Sequence, residues 1–380
     1  MDYTEEQQMM RDTVREFAKN EIEPVAAEFD EKGEFPAENF KKMAELGFLG
    51  IPFPEKYGGA GMDTVSLALA IEEVAKVCGG TCLSMAAHIS LCATPIYLFG
   101  TEEQKQKYLP PLAQGTSLGS FCLTEPGSGS DAGAAKTSAL LEGDYYILNG
   151  NKAFVTNAGV ADTFVVFAKT TPDEGTKGMS AFIVEKGFGG IVVGKKEDKL
   201  GVRASDTHPV SFENCRVPKE NLLGKERDGF KQALITLDGG RIGIGAMAVG
   251  LAQGAMEKAA AYAKEREAFG ETISKFQAIG NMFADMATEI YAGRLMVHHA
   301  ARLRDKGKPY TKEAAMAKLF ASEAAMRATK NAIQIFGGYG FCMDYPVERY
   351  WRDAKLTVIG EGTSEVLRMV ISREILKELA

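Results

Sequence analysis

The sequence predicts an α+β protein, mostly α, laid out as three consecutive blocks: helices, a small β domain, then long helices. Three observations carry this. Helical periodicity and cap signals persist to about residue 120. Between 121 and about 221 the pattern changes to short apolar runs divided by turn residues. From Gly229 the helical period returns and is kept. The expected domains are 1–120, 121–225 and 226–380.

In the first block, Thr4-Glu5-Glu6-Gln7 fits a capping box, and Met10, Val14 and Phe17 follow at helical spacing. A second helix is expected over 36–46, ending at Gly47, and the Gly- and Pro-rich run 51–61 reads as a loop. Thr64 is the expected cap of the next helix, with Leu67, Ile71 and Val74 on one face. Residues 83–98 are apolar and almost without charge, which predicts a buried helix, and Glu102 opens a further short one.

In the second block the strand candidates are 145–148, 163–168, 181–184, 191–193 and 209–212. Glu142-Gly143 and Asn149-Gly150 read as turns. So many short strands are most simply buried in a barrel or sandwich. In the third block, 230–263, 276–306, 312–336 and 364–379 are four long helical segments with short links, the pattern of an antiparallel bundle. Gly243, Ala246 and Gly250 share a face that permits close helix approach. In the last helix Thr363 is the expected cap, with Val366, Met369 and Val370 as the apolar face.

Composition narrows the function. A net charge of −7 argues against nucleic-acid binding. No uninterrupted apolar run reaches bilayer-spanning length, so no membrane span is expected. The acidic N-terminus has the character of neither a signal nor a transit peptide, so a soluble cytoplasmic protein is expected. The six cysteines form no C-x-x-C pair and read as reduced, mostly packed thiols. His298 and His299 point to different helix faces, so no metal site is expected. No dinucleotide fingerprint, P-loop or hydrolytic triad is present; Gly243-Ile244-Gly245 follows no strand and reads as helix packing.

Five stretches remain as candidates for chemistry. Glu361 lies between Gly360 and Gly362, where a ligand can approach closely, just before a helix. A carboxylate held there in an apolar pocket is a plausible base for a weakly acidic C–H. Residues 121–131 supply glycines and hydroxyls that can face a ligand. Residues 152–157 place Phe154 and Thr156 on one face of a strand. Arg266 to Gly270, followed by Phe276-Gln277, has the groups to hold a diphosphate. Gln334 to Gly340 is a helix end passing into a glycine-rich turn. Taken singly, each also reads as an ordinary turn, linker or strand end.

Taken together and in order, these stretches resemble the acyl-CoA dehydrogenase family over the whole chain. The resemblance rests on Leu123-Thr124-Glu125-Pro126-Gly127-Ser128-Gly129-Ser130-Asp131, Phe154-Val155-Thr156-Asn157, Asp238-Gly239-Gly240-Arg241, Arg266 with Phe269-Gly270, Gln334 with Gly337-Gly338-Tyr339-Gly340, and Glu361-Gly362-Thr363. The run from Asp344 to Arg349 before Arg352-Asp353-Ala354-Lys355 is most like the short-chain, butyryl-CoA type. It implies an N-terminal helical domain, a β-barrel-like middle domain and a C-terminal four-helix bundle. It also implies non-covalent FAD, an acyl-CoA substrate, an electron-transferring flavoprotein as partner and a homotetramer. By this resemblance Leu123, Thr124, Phe154 and Thr156 would hold the flavin ring. Arg266, Phe269, Phe276, Gln277, Gln334 and Gly338 would hold the ADP part, and Thr363 and Glu365 would also touch the cofactor. Ser130, Asp238, Arg241 and Gly362 would contact the substrate. Glu361 would take the α-proton while hydride passes to flavin N5, and burial should raise its pKa toward neutrality.

One branch of the family places its base at the position matching Gly240, which is glycine here. Many relatives have Tyr where this chain has Gly360, so a wider pocket for a branched, cyclic or aromatic acyl group is an open alternative. Phe341-Cys342-Met343 is a second departure from close relatives. The absence of Arg and Lys from 79–98 argues against a dicarboxylic acyl group. An enoyl-CoA reductase working with the same kind of partner, an acyl-CoA oxidase, and a flavin-free interaction protein are the other readings.

Overall fold

A computed structural model describes residues 2–379. The first block holds α1 (Glu5–Phe17), α2 (Ala26–Lys32), α3 (Ala37–Glu45), α4 (Thr64–Ala75), α5 (Gly79–Ala86), α6 (Thr94–Phe99) and α7 (Glu102–Ala113). The capping box is formed: the Gln7 N–H donates to Thr4 Oγ1 at 3.2 Å, and the Thr4 N–H donates to Gln7 Oε1 at 3.1 Å. α4 is capped by Asp63, not Thr64; Asp63 Oδ1 accepts the Ser66 N–H at 2.8 Å, and Thr64 is the first helical residue. The carboxylate reaches the free N–H groups of the first turn from one position earlier. All of α4 is buried, as its run of small and branched residues requires.

The apolar stretch between α5 and α6 is helical as expected, but its middle (Ala87–Ala93) is a π-helical segment. Within it His88 is fully buried. Its Nδ1 accepts the Gly119 N–H at 3.0 Å, so Nε2 carries the proton and donates to Leu112 O at 3.0 Å. Burial lowers the His88 pKa to about 4, so the ring stays neutral and serves as a fixed strut.

The second block contains β1 (Gly119–Cys122), β2 (Ser138–Glu142), β3 (Tyr145–Thr156), β4 (Thr163–Lys169), β5 (Met179–Glu185), β6 (Ile191–Val193), β7 (Thr207–Pro218) and β8 (Leu222–Leu223). They form one sheet in the order β6-β7-β3-β2-β4-β5-β8, with β1 parallel to β4. The sheet curls without closing: the Tyr146 and Phe182 rings of β3 and β5 meet at 4.9 Å, although two strands separate them in the order. β4 is apolar at consecutive positions because both its faces are covered. Phe164 and Val166 enter the interior of the β domain, and Val165 and Phe167 the helical core. Gly143 makes the expected β2–β3 turn with φ +60°. Asn149-Gly150 makes no turn: β3 runs through it with a register shift against β7, and a Cβ on Gly150 would sit 2.5 Å from Thr137 Oγ1. The glycine serves close backbone approach, which the sequence cannot distinguish from a turn.

The third block holds α8 (Gly229–Glu265), a hairpin of β9 (Glu267–Ala268) and β10 (Glu271–Thr272), then α9 (Gln277–Asp305), α10 (Thr311–Phe336), α11 (Val347–Thr357) and α12 (Ser364–Glu378). The bundle is formed, but its fourth member is α11, which packs on both α8 and α10, whereas α12 packs on α10. In α12 the buried apolar residue is Leu367, while Met369 is 71% exposed. α8 and the helical segment Gly79–Phe99 are long and apolar enough to cross a membrane, contrary to expectation, but most of each is buried inside the fold.

The glycines of α8 bring it against α4. A Cβ on Gly250 would lie 2.3 Å from Glu72 O, and one on Gly254 2.3 Å from Lys76 O, whereas Gly243 is less tightly packed. Overpacking costs about 1–3 kcal/mol, more than the ~1 kcal/mol that alanine gains over glycine in a helix. Gly250→Ala is therefore expected to lower the Tm by several degrees in a thermal melt; an unchanged or raised Tm would show that α4 yields.

α11 also clasps the three blocks together. Arg352 Nη2 donates to Asp30 Oδ2 of α2 at 2.6 Å, Nε to Glu348 Oε2 at 2.6 Å, and Nη1 to Leu200 O at 3.1 Å. The buried Asp353 Oδ1 accepts the Val202 N–H. This clasp fixes the helix whose C-terminal end leads into Glu361.

Candidate functional site

Glu361 sits in the turn between α11 and α12. The turn is braced by the Gly360 N–H to Leu356 O at 2.8 Å and the Ser364 N–H to Val358 O at 3.1 Å. Thr363 caps α12 as expected, accepting the Val366 N–H at 3.3 Å. Glu361 itself adopts φ +56° and Gly362 φ +102°. A left-handed conformation at a non-glycine residue costs on the order of 1–3 kcal/mol, so the surroundings must impose it. Two cations do so. Lys318 Nζ donates to Gly362 O at 2.7 Å, and Arg241 Nε approaches Glu361 O at 3.4 Å.

Residues 360–363 are part-exposed, but the carboxylate points inward. Glu361 Oε2 is buried and, among the described residues, has no hydrogen-bond partner. It faces Gly240 of α8 so closely that a Cβ there would lie 2.0 Å from Oε2, with Leu91 Cδ2 of the π segment at 3.1 Å. Burial raises the Glu361 pKa to about 7, against the lowering influence of Lys318 and then Arg241. A carboxylate half ionised near neutrality, with one oxygen unengaged, can receive a proton from whatever is placed against it. Among the described residues the Glu361 peptide N–H has no acceptor either.

Asp238 and Arg241 lie one helical turn apart beside this turn. Arg241 Nη1 donates to Asp238 Oδ1 at 2.6 Å, and Thr311 Oγ1 to Asp238 Oδ2 at 2.6 Å. Burial raises the Asp238 pKa despite both partners.

A second group joins the 123–131 loop to β3. Lys152, fully buried, donates to Leu123 O at 3.2 Å and to Glu125 Oε1 at 2.8 Å, and the Ala153 N–H donates to Thr124 O at 2.9 Å. Glu125 also accepts the Lys136 and Thr137 N–H groups. Leu123, Thr124, Phe154 and Thr156 are thus carried by one braced unit. β3 bulges against β7 between Lys152 and Val155, and Phe154 takes φ +55° with 68% of its surface exposed. Ser130 is exposed on the same loop.

A third group lies at the hairpin end of the bundle. Phe269, at the β9–β10 tip, has φ +53° and is 99% exposed, with its ring 6.2 Å from that of Phe276. The Arg266 guanidinium lies 5.8 Å over Tyr339, which brings the hairpin beside the Gly337–Phe341 turn and its Gly338. Gln277 and Gln334 are exposed, and so is Glu365 at the start of α12. Among the described residues no hydrogen bond or ion pair joins this group to Glu361.

Sequence reasoning missed Lys318 and the contact between Gly240 and the carboxylate. Lys318 had a signal: it interrupts a buried stripe of Ala314, Ala317, Ala321 and Ala325 on α10, where a solvated lysine has no place.

Comparison with known proteins agrees with this geometry. Residues 4–116, 120–215 and 227–376 match the N-terminal, middle and C-terminal domains of acyl-CoA dehydrogenase. A short-chain specific acyl-CoA dehydrogenase of Clostridium acetobutylicum is 56% identical over 374 residues, covering 98% of this chain and 99% of that protein. A chain in a structure of the electron transferring flavoprotein of Acidaminococcus fermentans, studied for flavin-based electron bifurcation, superposes with TM-score 0.98 at 56% identity over 99% of both chains. Butyryl-CoA dehydrogenase from Megasphaera elsdenii superposes with TM-score 0.97 at 46% identity, also over 99% of both.

Proposed function

Because the chain belongs to the acyl-CoA dehydrogenase family, we propose that it dehydrogenates a short-chain acyl-CoA to the trans-2-enoyl-CoA, with FAD as cofactor and an electron-transferring flavoprotein as redox partner. The observation that carries this reading is the Glu361 carboxylate: enclosed, unpartnered at Oε2 and near neutral pKa.

The residues present fit FAD. Phe154 and Phe269 expose ring surface at strained backbone positions, an arrangement with no packing benefit in the bare chain. A Cβ at Gly270, Gly337 or Gly338 would meet nothing within 4 Å, so the backbone there is open to a ligand. Leu123, Thr124, Phe154 and Thr156 would hold the flavin ring, and Arg266, Phe269, Phe276, Gln277, Gln334 and Gly338 the ADP part, with Thr363 and Glu365 beside it. When bound, the flavin supplies the hydride acceptor.

The chain's own residues do the rest. Glu361 takes the proton α to the thioester. Its peptide N–H is free to donate to the thioester carbonyl, which stabilises the enolate that forms. Asp238, Arg241, Ser130 and Gly362 contact the substrate. The protein would work as a homotetramer in the cytoplasm.

A second reading concerns the acyl group. The three atoms nearest a Cβ at Gly360 would all belong to Leu356, at 3.5 Å or more, and Gly360 is not left-handed, so the backbone does not demand glycine there. The missing side chain leaves room for a branched, cyclic or aromatic acyl group. Flavin bleaching by a panel running from butyryl-CoA to cyclic and aryl acyl-CoAs decides between the two. Bleaching by straight short chains, with bulky acyl groups inert, supports the first reading; no bleaching by any member removes both. If bulky groups are accepted, Gly360→Tyr is expected to lose them and keep butyryl-CoA.

A further inference from the structure

We propose that Lys318 is a positioning residue for Glu361: its ammonium pins the turn through the Gly362 carbonyl and supplies the buried positive charge that keeps the neighbouring carboxylate able to ionise. This rests on Glu361 being the base.

Lys318 is completely buried on α10. Its own helix surrounds it with alanines, and Gly245 of α8 packs against its backbone. Burying an ammonium in such a setting is costly unless something compensates its charge. Among the described residues its one hydrogen bond goes to a neutral acceptor, Gly362 O, at 2.7 Å, and no carboxylate lies within ion-pair distance. The compensation is longer-range, and Glu361 is the opposite charge that acts on it most.

The other charges facing this carboxylate do not do the same work. Arg241, from α8, is already engaged by Asp238, and Asp238 in turn faces Arg373 and Glu374 of α12. Glu365, at the start of α12, is negative and exposed. Lys318 is therefore the strongest opponent of the burial that would otherwise keep Glu361 protonated, and its own pKa is lowered to about 8 by the same burial. The geometry adds a second role. The hydrogen bond lands on the residue after Glu361, at the two consecutive positive-φ positions, where a released turn would relax toward ordinary backbone.

The test is an infrared difference titration of the holoprotein, in which subtracting Glu361→Gln isolates the Glu361 carboxylate band. Lys318→Gln and Lys318→Met are expected to move its midpoint up by about one pH unit, since they remove a nearby opposite charge. Lys318→Arg is expected to leave it near the wild type, and the acid limb of kcat/KM should follow the band. A midpoint that stays put in Lys318→Gln or Lys318→Met, at retained flavin content, overturns the proposal. If Lys318→Met does not fold, the contrast between Gln and Arg decides. The titration needs no turnover, so a wild type that titrates normally but fails to oxidise acyl-CoA removes the proposed reaction alone.

Discussion

Glu361→Gln is expected to keep its flavin and bind acyl-CoA, yet lose dehydrogenation by about 10²–10⁴-fold. Gln has almost the same shape, and the turn that carries it is held through backbone atoms, at Glu361 O by Arg241 and at Gly362 O by Lys318. The fold thus has little reason to change, and only the proton acceptor is lost. The variant should also be the more stable protein at alkaline pH. The Glu361 pKa is about 7 in the folded chain, against an ordinary value of 4.5. Between these values the native state holds a proton that the unfolded chain has released. Native stability therefore falls as pH rises from about 4.5 to 7, and stays lower above that. A difference of that size is on the order of 3 kcal/mol. Lys318 titrates with its midpoint at about 8, above this window, and it is present in both proteins. Thermal melts of both proteins at pH 5 and pH 7.5 check this: Glu361→Gln should gain on the wild type between them. Near-normal turnover, or a Tm gap independent of pH, would contradict the role assigned to the carboxylate.

Much of this site was legible in the sequence, and the reasons are local. A cap residue, a glycine on each side of one carboxylate and the start of a helical period are neighbours in sequence, and Thr363 caps α12 as read. β4 and β5 were visible as short apolar runs because both faces of each are covered. What stayed hidden depended on distant partners. α11 was missed because its polar run was assigned no helix; Glu348, Arg352 and Asp353 form the clasp between blocks, and that depends on distant partners. Met369 looked like a core position because apolar character alone does not say which face of α12 meets α10. Gly150 and Gly240 carry no sign of what approaches them, Thr137 in one case and Glu361 in the other. Lys318 was concealed by the prior that lysine belongs at the surface.

Gly240→Ala is expected to be nearly as damaging as loss of the base itself. The new methyl would sit 2.0 Å from Glu361 Oε2 and 2.9 Å from its Cδ, and Leu91 at 3.1 Å closes one way of escape. The carboxylate is the far end of a flexible side chain, so it gives way while the helix stays. A displacement of about 1 Å in a reacting group costs roughly 10²-fold, and the loss should fall on kcat rather than on KM. Stability should hold or rise, because alanine is favoured over glycine inside a helix by ~1 kcal/mol. That combination, an intact Tm with depressed kcat, separates displacement of the base from general damage. The decisive comparison is the double variant. If the methyl acts only by moving the carboxylate, then adding Gly240→Ala to Glu361→Gln should lower the residual rate little further. Losses that multiply would mean that position 240 has a separate role, and an active Gly240→Ala would mean that the carboxylate works from elsewhere in the pocket. The space beside Leu91 is filled by the carboxylate delivered from the α11–α12 turn. A side chain at 240 and an inward Glu361 exclude each other by contact, so glycine on α8 is the steric condition for the base proposed here.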